Sequence, residues 1–490
     1  ASSIDLVAID LETTGFDPAA DRIVEIGAVR VRLGSDGTLT QGERFASFVD
    51  PGGALEAVIT RLTGIRDTDL AGAPSAEVAL ARLERFLGGA TVVGHNVGFD
   101  LAFLERGGLS PRERLDTVEL ASVLMPTAPT YALQALAAAA GITPEAAHRA
   151  LDDALTCAAV LADLARRARA LPPDVLGELH AHAGLLGAPC AAFFADALGS
   201  AVRGAWEQPR PLAAPPSRHA APPAAALAVD AAFAADGPLA RSLAGYEART
   251  EQHELARAIE RTFREGGPLV AEAGTGVGKS LAYLVPALSR ALAGERVVVS
   301  THTLPLQDQL VRKDLPALQA ALGTALPVAV LKGRGNYLCP RRWQLFRGQV
   351  ATREEARLAL KTLVWRTTTM TGDRAEINLL GGESELWPRV SADDESCTAR
   401  RCAATAGGCY LERARQEAAR AGIVVVNHAL LLQDALARNA LLPDVAHVVV
   451  DEAHRLEDVA AAVFGKRLEE PRLRRALDRI ARSPLVLEAL

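Results

Sequence analysis

A stretch rich in alanine and proline, residues 207–237, divides this chain of 490 residues into two parts. Its six prolines keep the backbone extended, and it offers few large apolar side chains to bury, so we predict a semi-rigid linker. The length favours about two to four domains, because one hydrophobic core rarely organises so many residues. A folded region is therefore expected on each side of the linker.

The composition is that of a globular protein and excludes several other classes. Apolar residues make up 49% of the chain and charged residues 23%, which excludes general disorder and a fibrous repeat. Because the net charge is only −6, any surface that binds nucleic acid must be a local patch. Six cysteines are too few for a disulfide scaffold, no apolar run approaches the ~18 residues of a membrane span, and no signal peptide opens the chain. We expect a cytoplasmic protein with no membrane partner.

Strand and helix patterns alternate on both sides of the linker, which predicts an α/β fold in each part. Before the linker, strands are predicted at residues 4–9, 22–31 and 91–93, and a helix at residues 76–87. Beyond it, strands are predicted at residues 268–271, 297–300, 423–427 and 445–451, and a helix at residues 279–292.

Acidic residues follow the first predicted strand. Asp10 and Glu12 project to the same face, because side chains alternate along a strand. Two carboxylates so placed repel each other unless a cation lies between them. Asp100 and Asp153 are further acids near predicted helix starts, where they would also complement the helix dipole. A metal site and a set of solvated or capping acids are therefore the two interpretations of the residues alone.

A histidine precedes the last of these acids. His148 and Asp153 are five positions apart, which is about 140° around an ideal helix, so they share a face only if the helix begins after His148. Pro144 favours such a late start.

The order and spacing of these three motifs resemble the DnaQ-like (DEDDh) family of 3′–5′ exonucleases over residues 4–167, and residues 59–65 and 115–117 are similar as well. The resemblance implies an RNase H-like domain in which Asp10 bridges two Mg²⁺ or Mn²⁺ ions and Glu12, Asp100 and Asp153 complete their coordination. It makes His148 the general base and Thr13 and Thr14 contacts of the terminal nucleotide. Asp152 rivals Asp153, which matches the family's spacing from the histidine.

The chemistry suits these residue types. Hard divalent cations prefer oxygen ligands, and two of them about 3.5–4 Å apart stabilise both the attacking and the leaving oxygen of phosphodiester hydrolysis. An imidazole with an ordinary pKa of about 6.5 accepts a proton from water at neutral pH.

A glycine-rich loop precedes the predicted helix at residues 279–292. Its glycines let backbone N–H groups converge on phosphate oxygens, while Lys279 reaches the β- and γ-phosphates and Ser280 binds Mg²⁺. An ordinary glycine-rich turn is the alternative. The candidate nucleotide-binding residues of this loop are Gly274, Thr275, Gly276, Gly278, Lys279 and Ser280.

Two acids, Asp451 and Glu452, end the apolar strand predicted at residues 445–451. Such a strand is the natural partner of a phosphate loop: the first acid holds Mg²⁺ through water and the second polarises the attacking water. The alternative is an ordinary strand end with a capping acid.

Four cysteines lie in a polar region: Cys339, Cys397, Cys402 and Cys409. Together with residues 333–339 and 424–428, they resemble the DinG/XPD-like iron–sulfur helicases of superfamily 2. The resemblance implies a P-loop RecA-like domain that binds ATP, a base contact at Gln252, and a [4Fe–4S] cluster on the four thiolates. Two alternatives remain: a zinc ion bound by the four cysteines, or four cysteines that bind no metal and serve only the structure.

Only the first RecA-like half of such a helicase is matched, so this domain is predicted to be incomplete. The missing half supplies an arginine finger worth about 10³–10⁵ in rate, so we expect little ATPase activity and no processive unwinding. The predicted order is an exonuclease domain (1–170), a small helical appendix (171–206), the linker (207–237), the first part of the RecA-like domain (238–338), the iron–sulfur-type insert (339–409), the second part (410–456), and the start of an arch-like helical insertion (457–490).

The predicted function is metal-dependent 3′–5′ exonuclease action in DNA repair or replication, fused to an ATP-binding and single-strand-binding module. The expected substrate is single-stranded or 3′-ended DNA, with RNA as the alternative, and the expected site of action is the bacterial nucleoid. A DNA polymerase or a single-strand-binding protein is an expected partner. A proofreading subunit and a non-catalytic nucleic-acid-binding scaffold are the alternative functions.

Overall fold

The computed structural model describes residues 4–34, 36–143, 149–200, 228–243, 245–274, 276–393, 397, 408–465, 470, 473 and 477. The chain divides into two compact units, and each contains two segments of sequence. The first unit is Ala1–Leu212 with Leu338–Gly408, and the second is Ala213–Tyr337 with Cys409–Leu490. Both units combine sheets with helices, as predicted. The predicted boundaries of the seven segments stay a prediction.

A five-stranded mixed sheet forms the centre of the first unit, in the order β3-β2-β1-β4-β5. Its first three strands are antiparallel, and β4 and β5 run parallel to β1. Three predicted strands are confirmed, whereas β3 and β5 were missed. The strands are β1 (Ile4–Thr13), β2 (Ile23–Leu33), β3 (Leu39–Phe48), β4 (Thr91–Gly94) and β5 (Arg114–Asp116).

Helices cover the sheet of the first unit. The helix predicted at residues 76–87 is confirmed, and a long helix, α7, packs across β1 and β2. The helices are α1 (Ala57–Thr63), α2 (Asp67–Leu70), α3 (Ala76–Leu87), α4 (Gly98–Arg106), α5 (Thr117–Leu124), α6 (Leu133–Ala139), α7 (Ala150–Arg169), α8 (Pro173–Ala183) and α9 (Ala188–Gly199).

The second unit is built on a parallel sheet in the order β7-β8-β6-β9. The strands are β6 (Val297–Thr301), β7 (Val328–Val330), β8 (Ile423–Asn427) and β9 (His447–Val450). Its helices before β8 are α10 (Val229–Phe233), α11 (Pro238–Ser242), α12 (Thr250–Glu265), α13 (Lys279–Leu292), α14 (Leu304–Gln309) and α15 (Leu315–Leu322).

The strand predicted at residues 268–271 was wrong. This segment has the apolar composition of a strand, but it pairs with none of the described strands. Leu269 is 42% exposed and Val270 is 96% exposed. A strand needs the hydrogen-bonding edge of a neighbour, and composition alone does not supply one.

The insert between the two parts of the second unit belongs to the first unit. Its described helices are α16 (Pro340–Arg347), α17 (Arg353–Trp365) and α18 (Glu383–Val390), and they enclose the buried rings of Trp343, Trp365 and Trp387. The chain then continues in the second unit through α19 (Tyr410–Arg420), α20 (His428–Leu436) and α21 (Leu456–Phe464). None of the helices in the described part of the chain combines the length and apolarity that crossing a membrane requires.

A glycine sets the distance between the sheet and the start of α7. Gly27 on β2 pairs with Asp10, and a Cβ atom at Gly27 would lie 2.1 Å from the backbone carbon of Ala150. The absence of a side chain therefore permits α7 to begin directly against the sheet.

Replacing Gly27 by alanine is expected to push the start of α7 away from β2. We expect the free energy of unfolding to fall by about 1–3 kcal/mol, the usual cost of overpacking, in chemical denaturation. Gly42→Ala on β3 is the control, since its Cβ atom would meet Arg30 at an ordinary 3.5 Å. Equal losses in the two variants would contradict this account of Gly27.

Candidate active site

Three carboxylates from two elements converge at one end of the sheet. Asp10 and Glu12 lie on β1, and Asp153 lies in the first turn of α7. One ligand oxygen from each lies within 4.8 Å of the other two. The structure thus assembles the first and third predicted motifs, and it selects Asp153 over Asp152 for this cluster.

The fourth predicted acid is tied to the same strand. Asp100 is buried in the first turn of α4, and its Oδ1 accepts a hydrogen bond of 2.9 Å from the backbone N–H of Leu11. Leu11 stands between Asp10 and Glu12, so Asp100 lies beside the cluster. It is outside the group of oxygens that lie within 4.8 Å of one another.

Burial and mutual repulsion raise the pKa values of these acids. Burial raises the pKa of Asp10 well above its ordinary value, and Asp100, Asp153 and Glu12 raise it further. Burial also raises the pKa of Glu12 to about 7, with added repulsion from Asp153 and Glu25, and that of Asp100 to about 8. Such a cluster is costly when ionised and is stabilised by a cation.

Glu25 was missed by the sequence reasoning, although it positions the third motif. It faces Glu12 across the strand pair and is 4% exposed. Its carboxylate forms an ion pair of 2.9 Å with Arg149 and accepts a hydrogen bond of 3.2 Å from the first N–H of α7, at Ala150. An acid at this point complements the helix dipole. These contacts join residues 124 and 125 positions apart, so no local pattern indicates them.

Gln134 was also missed. Its Nε2 on α6 donates a hydrogen bond of 3.0 Å to Oδ1 of Asp153. The residue sits in an alanine-rich helix with no motif around it, so the sequence offers no signal for this role.

The predicted general base lies outside the described residues. The structure does show that α7 begins at Ala150, so the helix starts after His148, as the sharing of a face requires. The role of His148 stays a prediction.

The two predicted nucleotide contacts hold the loop that follows β1. Thr13 Oγ1 donates to the carbonyl of Gly15 at 2.6 Å, and Thr14 Oγ1 donates to Oδ1 of Asp21 at 3.2 Å. Their contact with a nucleotide stays a prediction.

The second unit brings together the residues predicted to bind a nucleotide. Lys279 Nζ lies 3.2 Å from Oε1 of Glu452, and the hydroxyl of Tyr283 donates to Asp451 at 3.1 Å. Gln252 donates a hydrogen bond of 2.9 Å to the carbonyl of Gly278. Gly276 and Gly278 have φ values of +85° and +81°, a conformation that favours glycine. Gly274 precedes these two, Ser280 is the second residue of α13, and Thr275 lies outside the described residues.

The four predicted cluster ligands are not tested by the structure. Cys339 is buried just before α16, Cys397 is half-buried, and Cys409 precedes α19. Cys402 lies outside the described residues. The iron–sulfur site and its zinc alternative stay predictions.

Two known protein families match separate parts of the chain. Residues 7–161 match the exonuclease family (RNase_T), and residues 252–335 match the DEAD/DEAH box helicase family. This chain joins an exonuclease domain to a DEAD/DEAH box helicase domain. The predicted resemblance is confirmed, and the exonuclease domain assigns the chain to the hydrolases. The α/β fold class is confirmed as well: the exonuclease domain contains a mixed sheet, and the DEAD/DEAH box helicase match indicates a P-loop RecA-like domain, which has a parallel sheet here.

Three known proteins illustrate the similarity. The chain is 31% identical over 500 residues to the 3′-5′ exonuclease DinG of Bacillus subtilis, covering 97% of this chain and 52% of that protein. It is 41% identical over 255 residues to the ATP-dependent helicase DinG of Mycobacterium tuberculosis, covering 48% and 38%. Escherichia coli exonuclease I in complex with a dT13 oligonucleotide aligns with a TM-score of 0.32 at 20% identity, covering 37% and 45%. The chain spans about half the length of the Bacillus relative.

The raised pKa of Glu12 makes stability depend on pH. The folded state binds the proton more tightly than the unfolded state, so ionising Glu12 costs stability as the pH rises from its ordinary pKa of 4.5 to about 7. In EDTA, we expect Tm to fall when the pH is raised from about 5 to about 8, and to fall less in Glu12→Gln. Thermal unfolding measures this difference.

Glu105→Gln, at an exposed position on α4, is the control and is expected to follow the unmodified chain. Addition of Mn²⁺ at the higher pH should restore the lost Tm in the unmodified chain. If Tm changes equally with pH in Glu12→Gln and in the unmodified chain, ionisation of Glu12 does not destabilise the folded state.

Proposed function

We propose that the first domain hydrolyses the 3′-terminal phosphodiester bond of DNA with two Mg²⁺ or Mn²⁺ ions held by Asp10, Glu12, Asp100 and Asp153. The observation that supports it most is the convergence of carboxylate oxygens from β1 and α7 within 4.8 Å. The donor set fits hard divalent cations, because all four side chains offer carboxylate oxygens. Burial and mutual repulsion raise the pKa values of Asp10, Glu12 and Asp100, which a bound cation would lower again. The nearby guanidinium of Arg149 is engaged by Glu25.

In this proposal the side chains of the chain itself bind, orient and accept a proton. When bound, the ions stabilise the charge that develops on the attacking and leaving oxygens. Asp153 is oriented by the hydrogen bond from Gln134, and Asp100 by the N–H of Leu11. His148, just ahead of α7, takes the proton of the attacking water through its imidazole.

The direction of hydrolysis and the substrate rest on separate support. The Bacillus relative is named a 3′-5′ exonuclease, which supports the same polarity for this chain. We propose single-stranded or 3′-ended DNA as the substrate, with RNA as the alternative.

We also propose that the second domain binds ATP and single strands. Support comes from the contact of Lys279 with Glu452, which are 173 positions apart in the sequence. Bound phosphates would compete with Glu452 for Lys279, and this would free the carboxylate to polarise a water. The linker at residues 207–237 would tether the domain and raise the local concentration of substrate at the exonuclease site. A DNA polymerase, a single-strand-binding protein and a [4Fe–4S] cluster stay predictions.

The exonuclease proposal is tested with end-labelled DNA in Mn²⁺. Asp153→Asn is expected to slow nucleotide release by about 100-fold or more, because each 1.4 kcal/mol of lost transition-state stabilisation costs about tenfold. Asp152→Asn is the matched control, since this acid is on the same helix but outside the cluster, and it should retain most of the rate. Equal rates in Asp153→Asn and the unmodified chain would refute the proposal.

The nucleotide proposal is tested by equilibrium dialysis with labelled ATP. We expect these residues to bind ATP and Lys279→Ala to abolish binding, whereas Arg290→Ala, at the other end of α13, should leave it intact. ATP binding by Lys279→Ala as tight as that of the unmodified chain would refute the nucleotide proposal.

A further inference from the structure

The insert of the helicase domain is bound to the exonuclease domain through a partly buried ion pair. Helix α17 of the insert packs on α5 and α8. Arg353, at the start of α17, donates two hydrogen bonds of 2.8 and 2.7 Å to the carboxylate of Glu119 on α5. The Glu119 side chain is only 9% exposed. A bidentate guanidinium–carboxylate pair of this kind fixes both partners in orientation.

A second contact holds the loop of the exonuclease domain at residues 125–131. The backbone N–H of Asn378, in the insert, donates a hydrogen bond of 2.8 Å to the carbonyl of Pro126. Its side-chain Nδ2 donates to the carbonyls of Ala128 and Pro129 at 3.0 and 3.3 Å. One residue of the insert therefore satisfies three backbone acceptors of this loop.

A buried charge pair secures Asn378 and reaches the end of the same loop. Lys361 donates 2.8 Å to the carbonyl of Asn378 and 2.6 Å to Glu383, and both charged side chains are fully buried. Its ammonium group also lies 5.7 Å from the ring centre of Tyr131. Removing one member of such a pair leaves an uncompensated buried charge, so the arrangement resists separation.

The loop leads directly to the cluster of acids. Tyr131 is followed by α6, and Gln134 in the first turn of α6 donates to Oδ1 of Asp153. A continuous set of contacts thus runs from the insert through residues 125–131 to a carboxylate of the candidate metal site.

We propose that the insert, residues 338–393, positions the exonuclease site: by holding the loop at residues 125–131 through Asn378, it sets Gln134 against Asp153 and so tunes metal binding. Gln134 and Asn378 are positioning residues in this scheme. The inference rests on the proposed function for its role in catalysis. The metal site itself is read out separately, by Mn²⁺ binding alone.

The expected effect on metal affinity comes from the orientation of the Asp153 carboxylate. A side chain that orients a metal-binding carboxylate typically contributes about 10–100-fold in metal affinity. Gln134 lies three residues beyond Tyr131, so a shift of the loop is transmitted to it through the start of α6. Without the Nδ2 donor of Asn378, the carbonyls of Ala128 and Pro129 would turn toward water, and α6 would lose its fixed entry point.

The experiment measures Mn²⁺ binding to the full chain by titration calorimetry below the unfolding temperature. Asn378→Asp keeps the shape but replaces the donor with an acceptor facing two carbonyls, and we expect Mn²⁺ affinity to fall by about tenfold. Gln134→Ala should give a similar loss. The combined variant should be no weaker than Gln134→Ala, since contacts that act through one another are not additive.

A matched control separates positioning from simple stability. Arg389 pairs with Glu355 and stacks on Phe346, both inside the insert, so Arg389→Ala should leave Mn²⁺ affinity unchanged. Arg353→Glu should lower the affinity, and the exchanged pair Arg353→Glu with Glu119→Arg should recover it. Full Mn²⁺ affinity in Asn378→Asp, or additive losses in the combined variant, would overturn the proposal.

Nuclease assays on the same variants distinguish the two proposals. Loss of Mn²⁺ binding in Asn378→Asp, with no nuclease activity in the unmodified chain, would support the positioning role and reject the proposed function. Unchanged Mn²⁺ binding in Asn378→Asp, together with an unchanged nuclease rate, would support the proposed function and reject the positioning role.

Discussion

Electrostatic repulsion among a few buried carboxylates is the constraint around which the first unit is organised. Asp10 and Glu12 share one face of β1, and α7 brings Asp153 to the same point. Arg149, which forms an ion pair with Glu25, lowers the pKa of Glu12, but burial and the neighbouring acids outweigh its effect. Bound protons or a cation would balance the remaining negative charge.

The surrounding contacts hold these acids in place, so the structure cannot lower the repulsion by moving them apart. Gly27 lets the helix start against the sheet, Glu25 binds the first N–H of that helix, and the N–H of Leu11 holds Asp100. Each of these contacts fixes one acid without neutralising the cluster. The second unit differs in this respect, because Lys279 and Glu452 form an ion pair of 3.2 Å in which the two charges balance each other.

Local periodicity predicted much of this arrangement. Alternation along a strand places Asp10 and Glu12 on one face. The sequence favoured a helix that begins after His148, and α7 begins at Ala150. The features that the sequence did not indicate are those made between distant segments. Gln134 has no motif, Glu25 acts on a helix more than a hundred residues away, and residues 268–271 lack a paired edge. The packing of the insert on α5 and α8 is another such long-range contact, since the composition of the insert does not indicate which surface it packs against.

The path of the chain between the two compact units has a practical consequence. The backbone passes from one unit to the other near residue 212, again after Tyr337, and a third time after Gly408. A single proteolytic cut in the linker would therefore leave the halves covalently joined. A recombinant fragment that ended after α9 would expose to solvent the surface of α5 and α8 that α17 covers. A fragment designed to contain the exonuclease domain without the helicase domain should therefore keep the insert together with the exonuclease domain.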